Sequence, residues 1–153
     1  MSKKIAVIGF GNTLRRDDGI GIVVLESLLN FYKRKDIDYL NFGSASFVLL
    51  SRIKTYDRAL LIDGINADLA VGKLKISELK DIEYKLDNSF TSTHELNLKS
   101  MLELSKKLGI KTKIYLAGIQ VGDTSFKEGL SEALEHKKEG IIKEIATFID
   151  KTF

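Results

Sequence analysis

No cysteine occurs among the 153 residues of the chain. Disulfides, thiolate zinc sites and cysteine nucleophiles are thereby excluded, so any metal must be held by histidine and carboxylate side chains. Histidine is itself scarce, with only His94 and His136. Proline is absent, which leaves the turns to Gly, Asn, Asp and Ser. No apolar run approaches the length of a membrane-spanning helix. The opening MSKKIAVIGF sets lysines before an apolar run that is too short for a signal-peptide core and breaks at Gly9, so a cytoplasmic location is expected. An excess of one charge is also missing. The 24 Lys+Arg and 21 Asp+Glu leave +3, and the lysines are interleaved with acids instead of forming a basic stripe. Neither nucleic acid nor a membrane is expected as a partner.

What is present is ordinary for a globular chain: 44% hydrophobic and 29% charged residues, in a length that suits one domain, 1–153. Ile5–Ile8 is a continuous apolar run ending at glycine, as in a strand buried on both faces. From Gly19 the pattern turns helical, with Ile20, Val23, Val24 and Leu28 on one face. The spacing then predicts a strand at 37–43, a helix at 46–56 and a strand at 58–63 that ends in Asp63. Alternation at 72–79 predicts an edge strand, parallel or antiparallel to the rest. A helix over 96–108, a strand over 113–121 and a helix over 128–150 complete the order. Strands alternating with helices imply a three-layer α/β/α domain around a mostly parallel sheet.

The glycine turn after the first strand invites a dinucleotide reading, which fails on two counts. The third glycine of that fingerprint is replaced by Leu14, and Asp17 and Asp18 stand where the helix begins. Carboxylates there complement the helix dipole themselves and repel a pyrophosphate. One of them, Asp17, has the chemistry of a helix N-cap, which leaves Asp18 to be explained. Asp18 follows the carboxyl end of the first strand and Asp63 ends the third, so both face the crevice where open α/β sheets bind ligands. STHE at 92–95 reads as a capping box with Ser92 as N-cap and Glu95 at the N3 position. That puts His94 in a helix's first turn, where the dipole disfavours imidazolium and leaves the ring able to ligate or accept a proton. His136, four residues after Glu132 on a charged face, reads as a solvated helix residue. Asp18, Asp63 and His94 together suit Ni, Zn, Mn or Fe without choosing between them.

GFGNTLRRDDGIG at 9–21, LLIDGIN at 60–66 and STHELN at 92–97 together resemble the hydrogenase maturation endopeptidases, over nearly the whole chain. These proteases trim a C-terminal extension from the large-subunit precursor of nickel-iron hydrogenases. The resemblance implies a five-stranded mixed sheet with one antiparallel strand. It implies that Asp18, Asp63 and His94 are both the metal-contacting and the catalytic trio. Gly9, Gly11 and Asn12 would shape the turn, and Asp17 would serve the start of the first helix. Gly43 and Ser44, in NFGSASF, and Gln120, in GIQVGDTSF, stand where the family has substrate-facing segments, although both stretches depart from its usual pattern.

The activity implied is proteolysis after nickel insertion, with nickel supplied by the substrate, no organic cofactor, and the precursor as partner. Scission would follow from metal polarisation of the carbonyl or activation of a water, or from Asp18 or Asp63 as general base. A non-enzymatic, nickel-sensing or chaperone-like binder of the precursor is the alternative. Peptidyl-tRNA hydrolases share a Gly-x-Gly-Asn opening, but would need a histidine-asparagine pair where this chain has Asp17-Asp18-Gly19.

Overall fold

The computed structural model describes residues 2–44, 47–82, 91–92 and 98–153. Among the described residues six strands and five helices follow one another as β1 (Ile5–Phe10), α1 (Ile20–Phe31), β2 (Ile37–Gly43), α2 (Phe47–Ile53), β3 (Arg58–Asn66), β4 (Leu74–Glu78), α3 (Leu79–Ile82), β5 (Thr91–Ser92), α4 (Leu98–Lys107), β6 (Lys113–Gln120) and α5 (Glu132–Thr152). A single 3-10 turn, Arg16–Gly19, leads into α1.

The main sheet has the order β2-β1-β3-β6-β4, and β5 pairs with β3 off this path. β1, β2, β3 and β6 are parallel, whereas β4 runs antiparallel to β6 at the edge. The edge position expected from the alternation at 72–79 holds, and of the two directions left open β4 takes the antiparallel one. β1, which carries the Ile5–Ile8 apolar run, is buried at all six positions, as a strand covered on both faces must be. Period-two alternation then sorts the core into two layers. Val7, Leu60, Ile62 and Ala117 face α1 and α5, packing with Val24, Leu28, Ile141 and Ile145. Ala6, Ile8, Leu61 and Leu116 face α2 and α4, packing with Leu49, Ile53 and the half-buried Leu104. These are the three layers the element order predicts.

Several boundaries differ from the sequence expectation, α2 ending at Ile53 and not at 56 among them, and two of them bear on the site. β3 does not end at Asp63 but continues to Asn66, because partners exist on both sides of the extension. Gly64 and Ile65 pair with Ile119 and Gln120 of β6, while Ile65 and Asn66 pair with Ser92 and Thr91 of β5. The last helix begins at Glu132, not at 128. Gly129 has φ +86°, which helices exclude, and Ser131 is the N-cap, its Oγ accepting from the Leu134 N–H at 3.4 Å.

The chain leaves β1 for β2 on one side and returns to β3 on the other. The carboxyl ends of β1 and β3 therefore form the switch point of the sheet, the place where such folds open a crevice.

Candidate functional site

Three glycines bring the Asp18 turn onto this switch point. Gly11 has φ +151°, and a Cβ there would lie 2.4 Å from the Asp18 carbonyl oxygen. A Cβ on Gly9 would lie 2.7 Å from the Gly21 carbonyl oxygen, and one on Gly21 would lie 2.2 Å from that of Phe10 and 2.4 Å from that of Ile62. Only glycine lets α1 and its leading turn sit this low on β1 and β3. Asn12 closes the loop as expected for an Asx turn, its Oδ1 accepting from the Leu14 N–H at 3.0 Å. The Asp18 N–H donates to the Arg15 carbonyl at 3.0 Å, and its own carbonyl accepts from the Asn12 N–H at 3.3 Å. The glycine turn thus serves the backbone passage beneath an acid, as the sequence suggested.

Asp18 is 2% exposed and Asp63 1%. Asp63 lies one residue beyond the Gly9–Ile62 pair and opposite Gly118 of β6. By alternation it shares the α2/α4 face with Ala59 and Leu61. The turn carrying Asp18 packs against β3, which carries Asp63. Two of the three acid and imidazole positions expected at the site are thus buried at one end of the sheet.

His94 lies outside the described residues, as does Glu95. Ser92, expected as a helix N-cap, is the last residue of β5 and pairs with Ile65, and the described part of the following helix is Leu98–Lys107. Among the described residues, no group of three or more His, Cys, Asp or Glu side chains is arranged to hold a metal ion. His136 is an exposed helix residue with its Nε2 3.7 Å from Glu132 Oε1, as expected.

Asp17 does not serve α1. That helix has Gly19 as its N-cap and no side-chain cap bond. The Asp17 carboxylate, 0% exposed, instead accepts from four donors far along the chain. Oδ1 takes the Ser131 N–H at 2.6 Å, and Oδ2 takes the Gly122 N–H at 2.9 Å, the Asp123 N–H at 3.1 Å and the Ser131 hydroxyl at 2.8 Å. The reason is geometric: the 3-10 turn points Asp17 away from α1 and toward the segment between β6 and α5. Backbone bonds continue the seam, from the Arg16 N–H to the Lys127 carbonyl, from the Lys127 N–H to that of Leu14 and from the Asp17 N–H to that of Asp123. Arg16 holds a left-handed φ of +44°, strain of about 1–3 kcal/mol that this seam offsets. Its guanidinium donates to the Leu130 carbonyl at 3.1 Å and stands 3.6 Å from Asp123. Hydrogen bonds from Ser125 hold the Asp123 carboxyl below its ordinary value, with Arg16 adding to the effect.

The three expected substrate-facing residues divide. Gly43, with φ +51° and open space where a Cβ would stand, closes β2 next to the glycine turn, its carbonyl accepting from the Gly11 N–H at 2.9 Å. Ser44 follows and is exposed. Gln120 is 4% exposed, and its amide is engaged within the chain. Its Oε1 accepts from the Ala67 and Leu69 N–H groups at 2.8 and 3.3 Å, and its Nε2 donates to Asn66 Oδ1 and the Val121 carbonyl.

Known proteins are similar to the chain over most of its length. A family model described as hydrogenase maturation protease matches residues 22–148. A relative from Methanocaldococcus jannaschii that bears a hydrogenase maturation protease name is 31% identical over 127 residues, which make up 77% of this chain and 72% of the relative. Against several bacterial hydrogenase expression/formation proteins the chain spans little more than half of the relative's length, between 53% and 58%. The solved [NiFe] hydrogenase maturation protease HycI from Thermococcus kodakarensis superposes with a TM-score of 0.75 at 29% identity, covering 97% of this chain and 93% of that one. The hydrogenase maturating endopeptidase HybD of Escherichia coli shares the fold, with a TM-score of 0.83 at 24% identity over 97% of this chain and 93% of that one. With its glycine turn, its two buried acids at the switch point and these likenesses, the chain belongs to the hydrogenase maturation protease family.

Proposed function

We propose that this chain is an endopeptidase that removes the C-terminal extension of a nickel-iron hydrogenase large-subunit precursor once nickel has been inserted. In this reading Asp18, Asp63 and His94 recognise the metal. The observation that carries it is the burial of two carboxylates, Asp18 and Asp63, at the carboxyl ends of neighbouring strands in a chain of this family. Carboxylate oxygens brought together at the switch point of an α/β sheet are the kind of donor that a divalent cation delivered by a substrate takes.

His94 is included because STHELN at 92–97 resembles the third block of the family. Ser92, two residues before His94, pairs with Ile65, two residues after Asp63. Carboxylate oxygens and an imidazole nitrogen suit a borderline cation such as nickel. Two routes to scission are compatible with this set. The metal polarises the scissile carbonyl or activates a water, or one of the acids acts as general base.

The test is intact-mass analysis of a large-subunit precursor incubated with the chain, with and without nickel. Loss of one defined C-terminal fragment only in the nickel-loaded precursor is the expected result. A precursor that is bound but left at full mass would make the chain a non-enzymatic binder.

A further inference from the structure

We infer that the exit of β6, residues 120–123, is a two-sided brace that fixes Asp18 relative to Asp63, with Asp17 and Gln120 as its positioning residues. The inference rests on the reading above that Asp18 and Asp63 act together.

On one side, the Gly122 and Asp123 N–H groups donate to the carboxylate of Asp17, the residue bonded directly to Asp18. Asp17 collects four hydrogen bonds, which fix both of its side-chain oxygens. The peptide that carries Asp18 therefore moves with β6. On the other side, Gln120 takes the Ala67 and Leu69 N–H groups, donates to Asn66, and is followed by Val121, whose N–H donates to the Ile65 carbonyl at 3.1 Å. Residues 65–69 continue from Asp63 along the same strand and its exit. Four consecutive residues thus hold both acid-bearing segments.

Gly122 marks how closely the two sides approach. A Cβ there would stand 3.4 Å from Asp17 Oδ2 and 3.0 Å from Val71 Cγ2, with the Asp17 turn on one flank and the β3–β4 connection on the other. An ordinary need to cap α5 does not explain the arrangement. Ser131 already caps that helix, and Asp17 reaches past it to Gly122 and Asp123.

The test combines precursor-cleavage kinetics with amide hydrogen exchange of the full chain for Asp17→Asn and Gln120→Ala. In Asp17→Asn the Arg16, Asp17 and Asp18 amides are expected to exchange at least about tenfold faster, while Val7 and Leu60 in the central strands keep their wild-type rates. In both variants kcat falls by about tenfold or more with KM within about twofold, since a shift of reacting groups well under 1 Å already costs rate. Wild-type exchange at those three amides overturns the inference. So does unchanged kcat, or acceleration of the Val7 and Leu60 amides to the same extent, which would mark a merely structural role. Should Asp17→Asn fail to fold, Ser131→Ala removes one of the four donors and is read by the same exchange. Faster exchange confined to Arg16–Asp18 supports the brace and unchanged exchange overturns it. If the wild-type chain cuts no precursor, the proposed function fails on its own, and the exchange arm still decides whether Asp17 positions Asp18.

Discussion

Gly21→Ala sets two principles against each other. Gly21 lies inside α1, where replacing glycine by alanine ordinarily stabilises a helix by about 1 kcal/mol. Here the added Cβ meets two backbone oxygens, those of Phe10 at 2.2 Å and Ile62 at 2.4 Å, and neither has a rotamer with which to yield. Separating the first contact to 3.0 Å requires a displacement of about 0.8 Å (3.0 less 2.2), taken up by α1 moving off the sheet. Overpacking costs about 1–3 kcal/mol, and a double backbone contact belongs at the upper end. Subtracting the gain in propensity leaves a net loss of about 2 kcal/mol, which lowers Tm by about 4–8 °C in a chain of this length. The same movement lifts the turn bearing Asp18 away from the Ile62–Asp63 peptide. A misplacement approaching 1 Å is worth about 100-fold in kcat. Circular-dichroism melts measure the first effect, and cleavage of nickel-loaded precursor well below Tm measures the second. A Tm equal to or above wild type would refute the packing argument, and full kcat at a lowered Tm would refute the link between that packing and the acids.

Other expectations follow from the same contacts. Ser131→Ala loses the α5 N-cap, worth about 1 kcal/mol, and should lower Tm by about 2–4 °C in the same melts. The Asp36 carboxyl is held below its ordinary value, chiefly by its hydrogen bond from Arg34. Its contribution to stability is therefore fully present above the ordinary aspartate range and is lost as pH falls through the lowered value. Asp36→Asn should flatten that acid limb in urea unfolding followed against pH, and an unaltered limb would show the pair to be inert. His136→Ala, at an exposed helix position, should change stability by no more than about 0.5 kcal/mol and leave cleavage unaltered. Loss of activity there would contradict the reading of His136 as a solvated helix residue.

The layers of the fold were legible because they depend on local periodicity. The Ile5–Ile8 apolar run of β1, the alternation of β4 and the 3.6-residue repeat of α1 each name their own environment. The pair Asp18 and Asp63 was legible for a related reason, since strand ends and their connections converge at a switch point whatever the details of packing. The role of Asp17 was not. Its four donors lie 105 to 114 residues away, whereas its neighbours in sequence offer a helix start that an aspartate could equally cap. Gln120 was hidden in the same way, because its engagement with residues 66–69 depends on β3 and β6 ending side by side. The extension of β3 past Asp63 rests on β5, a two-residue strand too short to announce itself by pattern. Gly21 carried a weak signal, as a glycine inside a helix usually has a packing reason. What it packs against, the carbonyls of β1 and β3, emerges only from the tertiary structure.

The central claim is that Asp18 and Asp63 work as one unit on the nickel-bearing precursor, and cleavage rates of the single and double alanine variants test it most directly. With nickel-loaded precursor in excess and folding verified by circular dichroism, Asp18→Ala and Asp63→Ala are each expected to lower kcat by about 100-fold or more, and the double variant to be little worse than either. Wild-type kcat in either single variant, or losses that multiply in the double, would contradict it.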